Sequence, residues 1–283
     1  MKFKLIAFDL DGTLLNKEKQ IDQRTIDYLV RLKKRNIEII IATGRSYYDA
    51  KRLTQDLPFA FVIIANNGAV TRNPNNGKTI ERRTINRDDF LKVIHLSREH
   101  NLHPIIYVDK DSLGYDIIIE REFDFSEYNG YLSKSLKRYR ITDFSDYLEN
   151  DVLSICFTGD FDPLENLRKE VLSRYPLKFN TSVSLKLHVE ALMEILHLDA
   201  CKWKALRRYA DVLKIADDEI LAFGDDNNDF EMIKNAGMGI VMENGTELMK
   251  SIGNRVSRYS NDENGVYREL ISIFGEMDDS HIQ

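Results

Sequence analysis

The sequence predicts an α/β protein: a doubly wound, mainly parallel core built from both ends of the chain, with an α+β cap domain inserted between them. Three observations carry that prediction. Short apolar runs alternate with segments of helical periodicity, the pattern of βαβ units. Four of those runs stop abruptly in polar or glycine residues. The length of 283 residues also exceeds the ~100–200 usual for one domain.

The first apolar run is Lys4 to Phe8. Ile26, Leu29, Val30 and Leu32 then recur at three-to-four-residue spacing and predict a helix from about Arg24 to Arg35. A strand follows at Ile37 to Ala42, a helix at Tyr47 to Asp56 and a strand at Phe61 to Ala65. Asn73-Pro74-Asn75-Asn76-Gly77 is a turn signal between Ala69-Val70-Thr71 and Thr79-Ile80, a hairpin leading out of the first domain. The middle then changes character, with a helix near Asp88 to Glu99 and strands at Ile105 to Val108, Gly114 to Ile119, Val152 to Thr158 and Ser184 to Val189. The core resumes with a strand at Leu192 to Leu196, a helix at Trp203 to Leu213 and a strand at Ile220 to Phe223. The predicted division is therefore 1–82 and 190–283 for the Rossmann-like core and 83–189 for the cap, with a loosely held polar tail from Glu276 to Gln283.

Composition narrows the function classes. Hydrophobic residues at 43% and charged residues at 30% are ordinary globular values. A net charge of −6 argues against general nucleic-acid binding, which needs many cationic side chains. Cys156 and Cys201 form neither a disulfide framework nor a zinc spacing, and the six histidines show no zinc motif. No apolar stretch near the amino terminus is long enough for a signal peptide or a membrane span, so a cytoplasmic protein is expected, with no membrane partner. The sequence leaves the oligomeric state open.

The chemistry concentrates where apolar runs end: Asp9-Leu10-Asp11-Gly12-Thr13, Thr43-Gly44-Arg45, Asn66-Asn67-Gly68 and Gly224-Asp225-Asp226-Asn227-Asn228-Asp229. In open α/β sheets the carboxyl edge of the strands is where ligands bind, so four neighbouring strands would bring these segments to one pocket. Asp9 and Asp11, two apart at a strand end, can face the same side while the backbone stays extended, and close carboxylates bind a cation or share a proton. Asp225 and Asp229 add carboxylate from a distant strand, a surplus that suits a hard cation such as Mg2+. Phosphoryl transfer needs an in-line nucleophile and fixed positive charge, and carboxylates can serve as such nucleophiles. Lys202, opening a helix, can supply the charge; Thr43 can donate a hydroxyl and Gly44 a backbone N–H.

Taken together, these motifs and Lys202 resemble the four ordered motifs of the haloacid-dehalogenase-like hydrolase superfamily. The large insert and Ala65-Asn66-Asn67-Gly68-Ala69 resemble its Cof-type sugar-phosphatase branch. The resemblance implies a Mg2+-dependent phosphatase acting on a small phosphorylated metabolite through an aspartyl-phosphate. Asp9 would be nucleophile and metal ligand, and Asp11 the acid/base, its main-chain carbonyl also on the metal. Asp225 would be the remaining ligand. The backbone of Leu10, together with Thr43, Gly44, Lys202 and Asn228, would hold phosphate, and Asp229 would orient Lys202 or a metal-bound water. Arg45 and Asn67 stand beside this set, Asn67 as a pocket residue or a structural turn. The departure is Trp203, where a smaller residue is expected in many relatives. A phosphomutase and a non-catalytic metabolite sensor are the alternatives; a sensor would be expected to lose Asp9, Asp11 or Asp225, all present here. Substrate choice is expected to lie in the insert, with Tyr107 and Tyr115 among its possible contributors.

Overall fold

The computed structural model describes residues 2–120, 138–186 and 189–276. They form two compact units, Met1–Glu81 with Cys201–Gln283 and Arg82–Ala200. The tail beyond residue 276 and two residues of the expected strand Ser184 to Val189, 187–188, lie outside the described residues.

In the first unit the chain runs through β1 (Leu5–Phe8), α1 (Gln23–Lys34), β2 (Glu38–Ala42), α2 (Tyr47–Leu53), β3 (Val62–Ala65), β4 (Val70–Arg72) and β5 (Thr79–Arg82). Every residue of β1 is fully buried, the mark of a central strand covered on both faces. Asp22 starts α1 by accepting the Arg24 backbone N–H, and Ser46 starts α2 by accepting that of Asp49.

The second unit holds α3 (Arg87–Glu99), β6 (Ile105–Val108), β7 (Ile117–Ile119), β8 (Tyr139–Ile141), β9 (Val152–Gly159), α4 (Phe161–Arg174), β10 (Phe179–Lys186) and β11 (Val189–His197). Its sheet order is β10-β11-β9-β6-β7-β8, antiparallel apart from the β7–β8 pair. Phe90, Val93 and Ile94 of α3 and Leu164, Leu167 and Val171 of α4 pack with Ile106, Ile155, Phe157, Met193 and Ile195 of the sheet in one buried core.

The chain then returns to the first unit through α5 (Lys202–Val212), β12 (Ile220–Gly224), α6 (Phe230–Asn235), β13 (Met238–Val241), α7 (Glu247–Ile252), β14 (Arg255–Val256) and α8 (Gly265–Phe274). The first sheet has the order β14-β13-β12-β1-β2-β3-β4-β5. All pairs from β14 to β3 are parallel and β4 turns back antiparallel on β3. Phe8 lies beside both Phe223 and Ile41, so the three strands end level with one another. The chain leaves β1 toward β2 on one side and re-enters at β12 on the other, which makes this shared edge a switch point.

Two sequence expectations need correction here. The segment expected to open the second part of the core at residue 190, with a strand at Leu192 to Leu196, is β11 and pairs with β9 and β10 in the second unit's sheet. Its alternate residues Ala191, Met193 and Ile195 join that unit's core, so the division falls after Ala200. An apolar strand carries no label for the sheet it joins; pairing decides it. The strand expected from Gly114 starts only at Ile117, because Gly114 adopts a left-handed φ of 83° that ends a turn.

Candidate active site

Parallel register delivers the first group of polar residues to the level edge. Asp9 follows β1, its N–H donates to Phe223 O at 3.0 Å, and it is buried. Lys202, the first residue of α5, is fully buried and donates from Nζ to Asp9 Oδ1 at 2.6 Å and to Asp229 Oδ1 at 2.7 Å. The other oxygen of Asp229 accepts the backbone N–H groups of Asp225 and Asp226 at 3.1 and 3.3 Å, which fixes the carboxylate under the loop that leaves β12. Thr13 donates its hydroxyl to Asp225 Oδ1 at 2.9 Å. The chain reverses at Gly12, φ 78°, and a Cβ there would overlap the Asp225 carboxylate, so two loops more than two hundred residues apart meet at van der Waals contact only because this residue is glycine.

Asp9, Asp225 and Asp229 each offer an oxygen, all within 4.8 Å of one another. Against them stands the ammonium of Lys202, bonded to two of the three. Burial of this much negative charge is unfavourable unless more positive charge joins it. Burial first, and then the charges of Asp229 and Asp225, push Asp9 well above the usual carboxylate range, with Lys202 opposing them. Asp225 is pushed up to about 7, by burial and by Asp229, against the hydrogen bond from Thr13. Burial alone would push Lys202 down, but the two carboxylates outweigh it and hold the ammonium above its ordinary value. An oxygen-rich, anionic, partly pre-formed set of this kind fits Mg2+.

A prediction follows for the protein in chelator. Asp225 takes up protons more readily folded than unfolded, so the stability it contributes is fully present below the ordinary pKa of 3.8 and is lost as pH rises through about 7. Asp9 acts in the same direction. The thermal midpoint is therefore expected to fall between about pH 5 and pH 8, and Mg2+ is expected to remove most of that slope by favouring the ionised carboxylates. A metal-free midpoint that rises across this window would contradict the charge reading of the site.

Asp11 departs from the arrangement expected of it. The strand ends at Phe8, and by Asp11 the backbone has left the extended path that would set its side chain beside that of Asp9. Its carboxylate accepts instead from Arg45 Nε and Nη2, at 2.5 and 2.7 Å, and from Lys19 Nζ at 2.6 Å. Burial pushes Asp11 up, but these two cations outweigh it and bring it down to about 2. Lys19 is a contact the sequence did not disclose: it stands in a polar loop, at φ 59°, with nothing local to distinguish it from a solvated lysine.

The phosphate-binding candidates border the same edge. Thr43 is buried and its Oγ accepts the Arg45 N–H at 3.2 Å, leaving its own hydrogen to donate. Leu10 is fully buried between the two aspartates and its carbonyl accepts the N–H of Leu15 at 2.9 Å, anchoring the loop backbone. Asn228 donates from Nδ2 to Asn67 Oδ1 at 3.0 Å, so the loop after β12 and the turn after β3 meet side chain to side chain. Asn244, which no sequence motif marks, donates to the carbonyl of Gly12 at 2.8 Å and braces the reversal.

Comparisons with known proteins identify the family. The family model described as haloacid dehalogenase-like hydrolase matches residues 6–270. The chain is 28% identical over 272 residues to the 5-amino-6-(5-phospho-D-ribitylamino)uracil phosphatase YitU of Bacillus subtilis, covering 95% of this chain and 97% of that one. It is 29% identical over 245 residues to the HMP-PP phosphatase of an Enterobacter species, covering 85% and 84% of the two chains. Among solved structures, a haloacid dehalogenase-like hydrolase from Bacteroides thetaiotaomicron superposes with a TM-score of 0.80 at 26% identity, over 96% of this chain and 100% of the other.

Proposed function

The chain belongs to the haloacid dehalogenase-like hydrolases, in the Cof-type branch and as a phosphoric monoester hydrolase, and from that premise we propose that it hydrolyses small phosphorylated metabolites with Mg2+ through a phosphorylated Asp9. The observation that carries the reading is Lys202 Nζ lying between Asp9 and Asp229 with Asp225 alongside, a buried nucleophile, counter-charge and cation-binding set at one strand edge.

Asp9 attacks phosphorus with one carboxylate oxygen; the phosphorus–oxygen bond to the leaving alcohol breaks and the alkoxide takes a proton from Asp11. Asp11, now a carboxylate, takes a proton from water as that water attacks phosphorus, freeing Asp9 and releasing phosphate. Asp9, Asp225 and the main-chain carbonyl of Asp11 would hold Mg2+, which supplies charge neutralisation that lets the anionic ester approach an anionic nucleophile. Lys202 offsets charge on the transferring group, and Asp229 holds Lys202 in place. Thr43, the backbone of Gly44 and Leu10, and Asn228 orient the phosphoryl oxygens.

Asp11 as it stands is ionised and suited to the base half of this cycle. The acid half requires its carboxylate to come away from Arg45 and Lys19 and gain a proton before the ester bond breaks. The relatives' names, a ribityl phosphate in one case and HMP-PP in another, support a small metabolite as substrate. The net charge of −6 argues against nucleic acid, and among the described residues no helix is long and apolar enough to cross a membrane.

The test is a panel of phosphorylated metabolites and an aryl phosphate, with released phosphate measured in Mg2+ and in chelator. Turnover is expected only with the cation and with preference for a small ester. Equal rates in chelator would overturn the Mg2+ requirement, and stimulation by a sugar bisphosphate without net phosphate release would favour a phosphomutase.

A further inference from the structure

The turn after β3 does more than reverse the chain. Asn66 and Asn67 both take left-handed φ values, 46° and 51°, and Gly68 follows at 95°. Such a run is unfavourable for most side chains and least so for asparagine and glycine. It is held by backbone bonds to the strand-end loop of β2: Asn66 N–H donates to Arg45 O at 2.8 Å and Asn67 N–H to Thr43 O at 3.0 Å. On its other side Gly68 lies so close to the backbone of Cys201, next to Lys202, that a Cβ would overlap it. A single turn thus touches the Thr43 loop, the start of α5 and, through the Asn67 side chain, Asn228.

We infer that Asn67 is a positioning residue of the phosphate site, acting through Asn228; the inference rests on the phosphatase reading above. Asn67 is buried, and a Cβ on Gly44 would come 3.2 Å from its Oδ1 and 3.5 Å from Asn228 Nδ2, so the glycine backbone and the two amides share one small space. Asn228 carries two amide hydrogens. Donation of one to Asn67 at 3.0 Å sets the plane of the amide and hence the direction of the other. The rotamer cost of ordering Asn228 on phosphate is then already met in the free protein. Because phosphate is held before, during and after bond breaking, loss of this order weakens ground state and transition state alike. Such uniform loss raises KM and leaves kcat nearly unchanged.

Asn67→Gly removes the side chain while keeping a residue content with positive φ; Asn67→Ala removes it at a different backbone cost. Both are expected to raise KM for an aryl phosphate and the inhibition constant of inorganic phosphate by roughly five- to tenfold, the scale of one hydrogen bond. Their kcat should stay within about twofold. The two variants should agree in this effect even where their thermal midpoints differ. Asn228→Ala should show the same rise, and Asn67→Gly with Asn228→Ala should be no worse than Asn228→Ala alone. Multiplying effects in that pair, or phosphate inhibition unchanged in Asn67→Gly, would overturn the inference. Absence of phosphate release from every ester by the unaltered protein in Mg2+ would overturn the phosphatase reading itself, a separate result.

Discussion

Asp9→Asn is expected to lower phosphate release by at least ~10³-fold while leaving the protein folded, and in chelator no less stable than the parent. The amide keeps the shape of the side chain and an oxygen for Lys202, which now donates to Asp9 Oδ1 at 2.6 Å. It lacks the ionised oxygen that bonds to phosphorus. The stability half of the expectation comes from the same geometry. Asp9 is a buried carboxylate whose pKa is driven up by burial and by Asp229 and Asp225, so its charge opposes folding wherever no cation is present. Removing that charge relieves the strain. A residue whose replacement costs activity and not stability has been retained for chemistry. Circular dichroism and thermal midpoints, read beside phosphate release, check both halves; activity within about tenfold of the parent would remove Asp9 as nucleophile.

Much of this arrangement was legible in the sequence, for a physical reason. β1, β2, β3 and β12 are buried strands of a mainly parallel sheet, so apart from Glu38 at the start of β2 they read as apolar runs, and each ends where the chain must turn at the sheet edge. Asp9, Thr43, Asn66 and Asp225 mark those ends because polar side chains and glycine are what a turn at a ligand edge demands. The same logic fails where tertiary pairing decides. β11 has an apolar stretch interrupted by Glu194, and its partners lie in the other unit's sheet. α4 carries a stripe of its own, Leu164, Leu167 and Val171 at helical spacing, that lies outside the elements expected above. At the site, residue type announced Asp11 but not its partners. The bonds from Arg45 and Lys19 depend on where two loops cross, and neither loop carries a mark of it. Asn67 was legible as a turn residue, whereas its hydrogen bond to a residue 161 positions away was not.

Lys202→Met is expected to damage both stability and chemistry, and the order of the two losses identifies what the lysine does. Its side chain is 1% exposed and bonded to two carboxylates with at most 7% exposure. Methionine fills most of the same volume, so packing is largely spared and the change isolates the charge. Removing one member of a buried ion pair leaves the other uncompensated and typically costs about 3–5 kcal/mol. Here Asp9 and Asp229 lose their common partner together. Asp9 and Asp225, already shifted up, would bind protons at still higher pH, so part of the loss is recovered by protonation at the expense of the nucleophile. Urea denaturation in chelator should therefore show a deficit that grows from about pH 5 to pH 8, in the direction required by raised carboxylate pKa values. Turnover should fall at least ~10²-fold, the scale for removing a charge-stabilising donor, and remain low when Mg2+ has restored the folded state. Full activity on refolding with Mg2+ would make Lys202 a structural counter-ion only. A persistent loss in the refolded protein places it among the groups that act on the transferring phosphoryl, because Asp9, which it neutralises in the resting protein, is then neutralised by the cation.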